Sequence, residues 1–348
     1  FGNSYPIYDY EDSVCELPVD LRTIGSYAFS NAEIKTIIIP NSVETIKENA
    51  FEGNSYLEKI IIPSSVVTIG NSAFARCKQL KFASLPEHLT KIEDSLFHDC
   101  TNLIEIVIPS SVVEIGNHAF SGCISMRTFL IPHNIVKIGT NPFVNSKVIN
   151  ISCDSPYFEI ENDCLYSKGK KTLIAYLGNS SKIDLPMGLE EISEEAFCEC
   201  NTIEEVHCPS TLKRIRRRAF MNCTSLRKIN INDCLLPNIE DSTFAGCIKL
   251  DDLKLPNTIN EIDNLAFSRC SSLKTLLLSS SIVKIDSNAF QNCKSIVTIW
   301  IPFGVKKEIL PWELRGKGKD MKLEDCNIWM DNMGVAYSMD KKCLIKAS

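Results

Sequence analysis

The chain has 348 residues, 44% apolar and 23% charged, with a net charge of −6 at neutral pH. That mild acidity argues against a general nucleic-acid binder, which is expected to be basic. No apolar run approaches the roughly 18 residues of a membrane-spanning helix.

The chain opens on Phe1 and not on a methionine, so it reads as a fragment or a processed product. A periodic pattern then takes over. Phenylalanine returns at intervals of 23 in Phe51, Phe74, Phe97, Phe120 and Phe143, again in Phe197 and Phe220, and again in Phe244, Phe267 and Phe290. A proline stands eleven residues before most of them, at Pro40, Pro63, Pro86, Pro109, Pro132, Pro186, Pro209 and Pro256. A period this strict means one supersecondary unit stacked many times. A chain of this length exceeds what a single core usually serves. A solenoid escapes that limit, because each coil buries itself only against its neighbours.

One unit runs from Leu57 to Cys77. Leu57, Ile60 and Ile62 predict a strand whose alternate residues point inward. Pro63 has no N–H and ends the ladder. Val66 and Ile69 turn back into the core as a second short strand, and Gly70-Asn71 permits a tight corner. Ser72-Ala73-Phe74 predicts a short helical or 3₁₀ turn with Phe74 as the core plug. Eleven such coils run from Phe29 to Phe290, and Pro302-Phe303-Gly304-Val305 begins a twelfth that lacks its phenylalanine.

Phe143 and Phe197 are 54 residues apart, one period plus 31. The extra stretch holds Phe158-Glu-Ile160 and then Leu165 to Ile174, which alternates around Lys-Gly-Lys-Lys and predicts a β-hairpin. Its Tyr166-Ser167, Lys170-Lys171 and Leu173-Ile174 reappear 171 residues later in Tyr337-Ser338, Lys341-Lys342 and Leu344-Ile345. The second hairpin is either a polar terminal cap or the start of chain continuing past Ser348. The expected organisation is a first repeat block over 1–152, a hairpin insert over 153–183, a second block over 184–307, and a C-terminal hairpin or cap over 308–348.

Outward strand positions form two rows. One runs Thr36, Lys59, Phe82, Glu105, Thr128, Asn150, and later Glu205, Lys228, Asp252, Thr275, Thr298; the other runs Ile38, Ile61, Ser84, Val107, Leu130, Ser152, and later His207, Asn230, Lys254, Leu277, Trp300. Ile38, Ile61, Phe82, Val107 and Leu130 make the N-terminal part apolar, the mark of an interaction site or of β-branched residues that simply suit strands. Leu277 and Trp300 form a smaller candidate. The basic run Lys213, Arg214, Arg216, Arg217 and Arg218 reads as a solvated outer face, or as a patch for an acidic protein, an anionic membrane or a glycosaminoglycan. Asn150, Asn179 and Asn222 open N-x-Ser/Thr acceptor sequences, with Asn179 the best placed.

Of sixteen cysteines, eight lie three residues after the repeat phenylalanine: Cys77, Cys100, Cys123, Cys200, Cys223, Cys247, Cys270 and Cys293. Cysteine at a fixed repeat position reads as a small buried apolar residue, reduced, and not as a disulfide framework. Cys198, Cys200, His207 and Cys208 fit no zinc signature. No nucleophile motif, phosphate loop or dinucleotide fingerprint is present, so neither an enzyme nor a cofactor is expected.

The frame Leu-x-x-Ile-x-Ile-Pro-x-x-Val-x-x-Ile-Gly-x-x-Ala-Phe-x-x-Cys resembles the BspA-like, or treponemal-type, leucine-rich repeats over about residues 15–305. The resemblance implies a leucine-rich-repeat solenoid with a curved parallel β-sheet. It also implies microbial proteins, often at the cell surface, some of them adhesins for host matrix or plasma proteins. The leading expectation is therefore a non-enzymatic solenoid that binds a protein partner on its strand face, at the cell surface or secreted. The alternative is an intracellular scaffold packed in a larger assembly, a cytoplasmic reading that free cysteines favour.

Overall fold

The computed structural model describes residues 14–148, 150–302, 305–311 and 314, and the backbone of the strands Lys322–Cys326, Ile328–Met330, Ala336–Ser338 and Leu344–Lys346. The chain divides into two compact units, residues 1–169 with 174–178, and residues 170–173 with 179–348.

In the first unit each coil contributes a front strand and a shorter return strand. The front strands Val14–Glu16, Thr36–Ile38, Lys59–Ile61, Phe82–Ser84 and Glu105–Ile106 form one parallel sheet. Thr128–Ile131 and Asn150–Cys153 continue the stack as a parallel pair. Return strands such as Thr45–Ile46 and Thr68–Ile69 pair in parallel on the opposite side. Ile37, Ile60 and Ala83 point inward and are buried, while residues on either side point out. The alternation expected around Pro63 is thus present coil after coil.

The expected helical turn at the phenylalanine is not there. Ser72 and Arg76, flanking Phe74, both hold left-handed backbone, with φ of 55° and 60°. Every second N–H closes a local turn: Ala73 to Gly70 O, Ala75 to Ser72 O, Cys77 to Phe74 O. The N–H groups between them leave the coil: Ser72 to Asp94 O, Phe74 to Leu96 O and Arg76 to His98 O. A helix would use all of these donors within the segment. Diverting half of them to the next coil satisfies the backbone and adds a third line of coil-to-coil bonds. Among the described residues the 3₁₀ segments are Lys168–Lys170 and Lys307–Ile309, neither on a repeat phenylalanine.

The phenylalanine rings form a column inside each unit. Phe29, Phe51, Phe74, Phe97, Phe120 and Phe143 stack with centroids 5.2 to 6.0 Å apart. Phe197, Phe220, Phe244, Phe267 and Phe290 stack at 4.7 to 5.4 Å. The spacing follows from the strand repeat of about 4.8 Å, and offset stacking adds to the area these rings bury.

After Asn150–Cys153 the first unit turns antiparallel. Phe158–Glu161 pairs with Cys164–Ser167 through a two-residue loop, Asn162-Asp163, with φ of 49° and 57°. Two positive φ values fit a type I′ hairpin. This turn precedes the expected Lys-Gly-Lys-Lys turn, so the insert has three strands, the last being Thr172–Tyr176. The hairpin over 158–167 belongs to the first unit.

In the second unit Thr172 and Leu173 pair in parallel with Glu191 and Ile192, opening its return side. Its front strands begin Lys182–Asp184, Glu205–His207, Lys228–Asn230 and Asp252–Leu253. Further along, Thr275–Leu277, Thr298–Pro302 and Lys322–Cys326 run parallel. Ile328–Met330, Ala336–Ser338 and Leu344–Lys346 are antiparallel, matching the 171-residue offset. The Lys341-Lys342 turn and Phe303-Gly304 lie outside the described residues.

Candidate protein-binding face

The front sheet of the first unit places the candidate residues in register. Lys59 faces Phe82, Ile61 faces Ser84, and Phe82 faces Glu105 along the ladder. Leu130 faces Ser152 in the neighbouring pair. Ile38, Ile61, Val107 and Leu130 are 54%, 55%, 71% and 47% exposed, and Phe82 is 38% exposed with the Lys59 ammonium 5.6 Å from its ring centroid. The β-branched Ile38, Ile61 and Val107 and the aromatic Phe82 suit a strand, but the strand needs no apolar residue on its solvent side. Exposed apolar residues on one face are a usual mark of a contact site; here Ser84 interrupts the row between Ile61 and Val107.

Two exposed apolar features were missed in the sequence. Ile104 is exposed one residue before its front strand, and Val67, Val113 and Val136 form a row on the return side. The doubled Val66-Val67 and Val112-Val113 were the available signal, since only the first of each pair is buried. In the second unit Leu277 and Trp300 are adjacent in register and half-buried.

The basic run is matched residue by residue. Lys213 binds Glu190, Arg214 binds Glu191, Arg217 binds Glu194 and Arg218 binds Glu195. Arg216 lies 3.3 Å from both Glu191 and Glu240. Lys171 and Lys213 hold the Glu190 carboxyl at about 2. Exposed pairs are individually weak, but four pairs in register and Arg216 between two carboxylates leave little uncompensated positive field for an anionic partner.

On the second unit's front face His207 has both ring nitrogens against carboxylates, Nδ1 on Asp184 and Nε2 on Glu205 at 2.9 Å. Imidazole has two N–H donors only when protonated, so Glu205 and then Asp184 raise its pKa. Lys182 and His207 hold Glu205 at about 2. A raised folded pKa contributes stability below the unfolded value and loses it as pH rises through the folded one. The NMR titration midpoint of His207 is expected above 6.5 and to fall in Glu205→Gln; a midpoint at or below 6.5 would refute the bridge.

The ladder cysteines are donors as well as filler. The thiols of Cys77, Cys100, Cys123, Cys223, Cys247, Cys270 and Cys293 each reach the carbonyl of the preceding coil's phenylalanine at 2.9 to 3.2 Å. Cys200 is only half-buried. Among the described residues no group of three or more His, Cys, Asp or Glu is arranged to hold a metal ion. Asn150 lies in a strand and Asn222 in left-handed backbone, while Asn179 is exposed in an irregular segment. Among the described residues no helix is long and apolar enough to cross a membrane.

Short parallel front strands, tight corners and a stacked leucine, isoleucine and phenylalanine core define a leucine-rich-repeat solenoid. The chain belongs to the BspA-type leucine-rich repeat family, whose model in six copies matches residues 11–123, 90–176 and 171–297. No curated protein sequence matches it. Among solved structures it is similar to a leucine-rich cell surface protein from Faecalibacterium prausnitzii, 26% identical with a TM-score of 0.69 over 84% of this chain and 91% of that one. The pneumococcal vaccine antigen PcpA is 22% identical, with a TM-score of 0.64 over 85% and 69%. A leucine-rich repeat protein from Eubacterium ventriosum is 19% identical, with a TM-score of 0.66 over 85% and 94%. These last two share the fold.

Proposed function

We propose that the protein is a non-enzymatic binding solenoid that docks a protein partner on the front face of its first unit. The observation that carries this is the exposed apolar row Ile38, Ile61, Val107 and Leu130 on a sheet whose other face is fully packed. A rigid scaffold favours such binding, because little order remains to be imposed on the surface. Similarity to the cell surface protein of Faecalibacterium prausnitzii supports a surface setting. The partner class is a host matrix or plasma protein. The intracellular scaffold reading rested on the free cysteines, which are shielded by burial and hydrogen bonding.

The test is Ile61→Glu with Leu130→Glu, both on exposed positions that the core does not use. Immobilised matrix and plasma proteins are screened with the wild type, and every one captured is re-measured with the variant. A loss of affinity of at least about tenfold is expected for burying two unpaired charges. Unchanged binding by a variant with wild-type circular dichroism would remove this face as the site.

A further inference from the structure

The same face reads alike from either end. At its centre stands the strand Phe82–Ser84. One coil away on one side are Lys59 and Ile61; one coil away on the other are Glu105 and Val107. Two coils away stand Thr36 with Ile38, and Thr128 with Leu130. Apolar is balanced by apolar, threonine by threonine, and a cation by an anion.

Lys59 and Glu105 stand out from the other charges nearby. Neither has an opposite charge within ion-pair distance among the described residues, although Lys59 stands over the Phe82 ring. Their neighbours are committed: Lys35 and Lys81 both bind Glu58. On the return side of the second unit the basic run is matched in register. Two unmatched charges of opposite sign thus lie at equal distances from one central strand, each beside an exposed β-branched residue.

We propose that this face pairs two copies of the chain about a two-fold axis parallel to the strand Phe82–Ser84 and midway between the two facing sheets. A closed two-fold interface must be complementary to itself. Rotation about this axis keeps the strand direction and reverses the order of the coils. It sets Lys59 against Glu105 of the second copy, and Glu105 against Lys59 of the second copy. Ile61 meets Val107 of the second copy, Ile38 meets Leu130 of the second copy, and the Phe82 rings meet near the axis. The packing is that of aligned sheets about 10 Å apart. Had position 105 carried a lysine, the same rotation would oppose like charges twice.

The face spans five strands, about 19 Å between its outer rows at about 4.8 Å per strand. With front strands of about three residues, each about 10 Å long, its area of about 200 Å² is below the roughly 800 Å² per partner of a standard stable interface. The dimer is therefore of the transient kind, with a dissociation constant on the order of tens of micromolar.

The inference rests on the reading that this face is an interaction surface, and the test separates the two. Sedimentation velocity between about 1 and about 300 μM is expected to show reversible dimerisation of the wild type. Lys59→Glu alone and Glu105→Lys alone each weaken it at least about tenfold, because each opposes like charges across the axis twice. The double swap, Lys59→Glu with Glu105→Lys, restores the wild-type constant to within about threefold. A monomer at every concentration, or a double swap no tighter than the singles, overturns the dimer. If the dimer fails while Ile61→Glu with Leu130→Glu still abolishes partner capture, only the identity of the occupant was wrong. If that pair leaves capture intact while the charge swap rescues dimerisation, the dimer stands and the partner reading falls.

Discussion

Phe97→Ala is expected to destabilise the first unit by about 3–5 kcal/mol, toward the top of that range. Phe97 is fully buried, with its ring between those of Phe74 at 5.7 Å and Phe120 at 5.9 Å. The cost of such a truncation depends on whether the surroundings collapse into the space. Here they are held apart. The Phe97 N–H binds Ala119 O at 2.9 Å, the Phe74 N–H binds Leu96 O at 3.1 Å, and the Cys123 thiol binds the Phe97 carbonyl at 3.2 Å. A cavity between two fixed rings loses contacts on both sides. Phe29, partly buried at the start of the column, is expected to cost about half as much or less when truncated. Urea unfolding of both variants measures the difference. Equal shifts in midpoint would mean that the column is not the shared core of the stack, since nearest-neighbour coupling makes an interior coil matter to two interfaces and an end coil to one.

The period carried most of the fold because it states one local solution many times. Alternation around Pro63 told which residues face in, and the ladder confirms it at Ile37, Ile60 and Ala83. The turn at Phe74 escaped the same reading. Its residues allow a helix locally, and only the carbonyls of the next coil draw every second N–H away. Such a competition between local and neighbouring acceptors has no signature within one repeat. The Asn162-Asp163 turn carried a signal, as both residue types tolerate positive φ, although the Lys-Gly-Lys-Lys turn was the one expected. The charge matching was legible too. Glu190 and Lys213, Glu191 and Arg214, Glu194 and Arg217, and Glu195 and Arg218 are each 23 residues apart. A basic run read along the chain suggests a patch, while the same run read across one period is a row of ion pairs. The strand face could be located from the alternation, but how far each outward side chain stays uncovered depends on its neighbours across the ladder, which one repeat does not contain.

Cys77 is expected to react with iodoacetamide at least about 10³-fold more slowly in the folded protein than a free cysteine does. Only the thiolate attacks. Burial, as the largest cause, pushes the Cys77 thiol from 9.0 up to about 12, which removes about three decades of thiolate at neutral pH. Its hydrogen is also engaged on the Phe51 carbonyl at 3.2 Å, and the reagent has no path to a side chain with no exposed surface. Labelling followed site by site by mass spectrometry should show half-buried Cys200 modified ahead of Cys77, Cys100 and Cys123. In denaturant the order should vanish. A Cys77 rate within about tenfold of the free thiol in the folded state would contradict both the burial and the hydrogen bond. The consequence reaches the compartment. Free thiols point to a reducing environment only if an oxidising one would convert them. A buried thiol that is seldom ionised and not reached stays reduced in either, so the ladder apart from half-buried Cys200 is as compatible with a cell surface as with a cell interior.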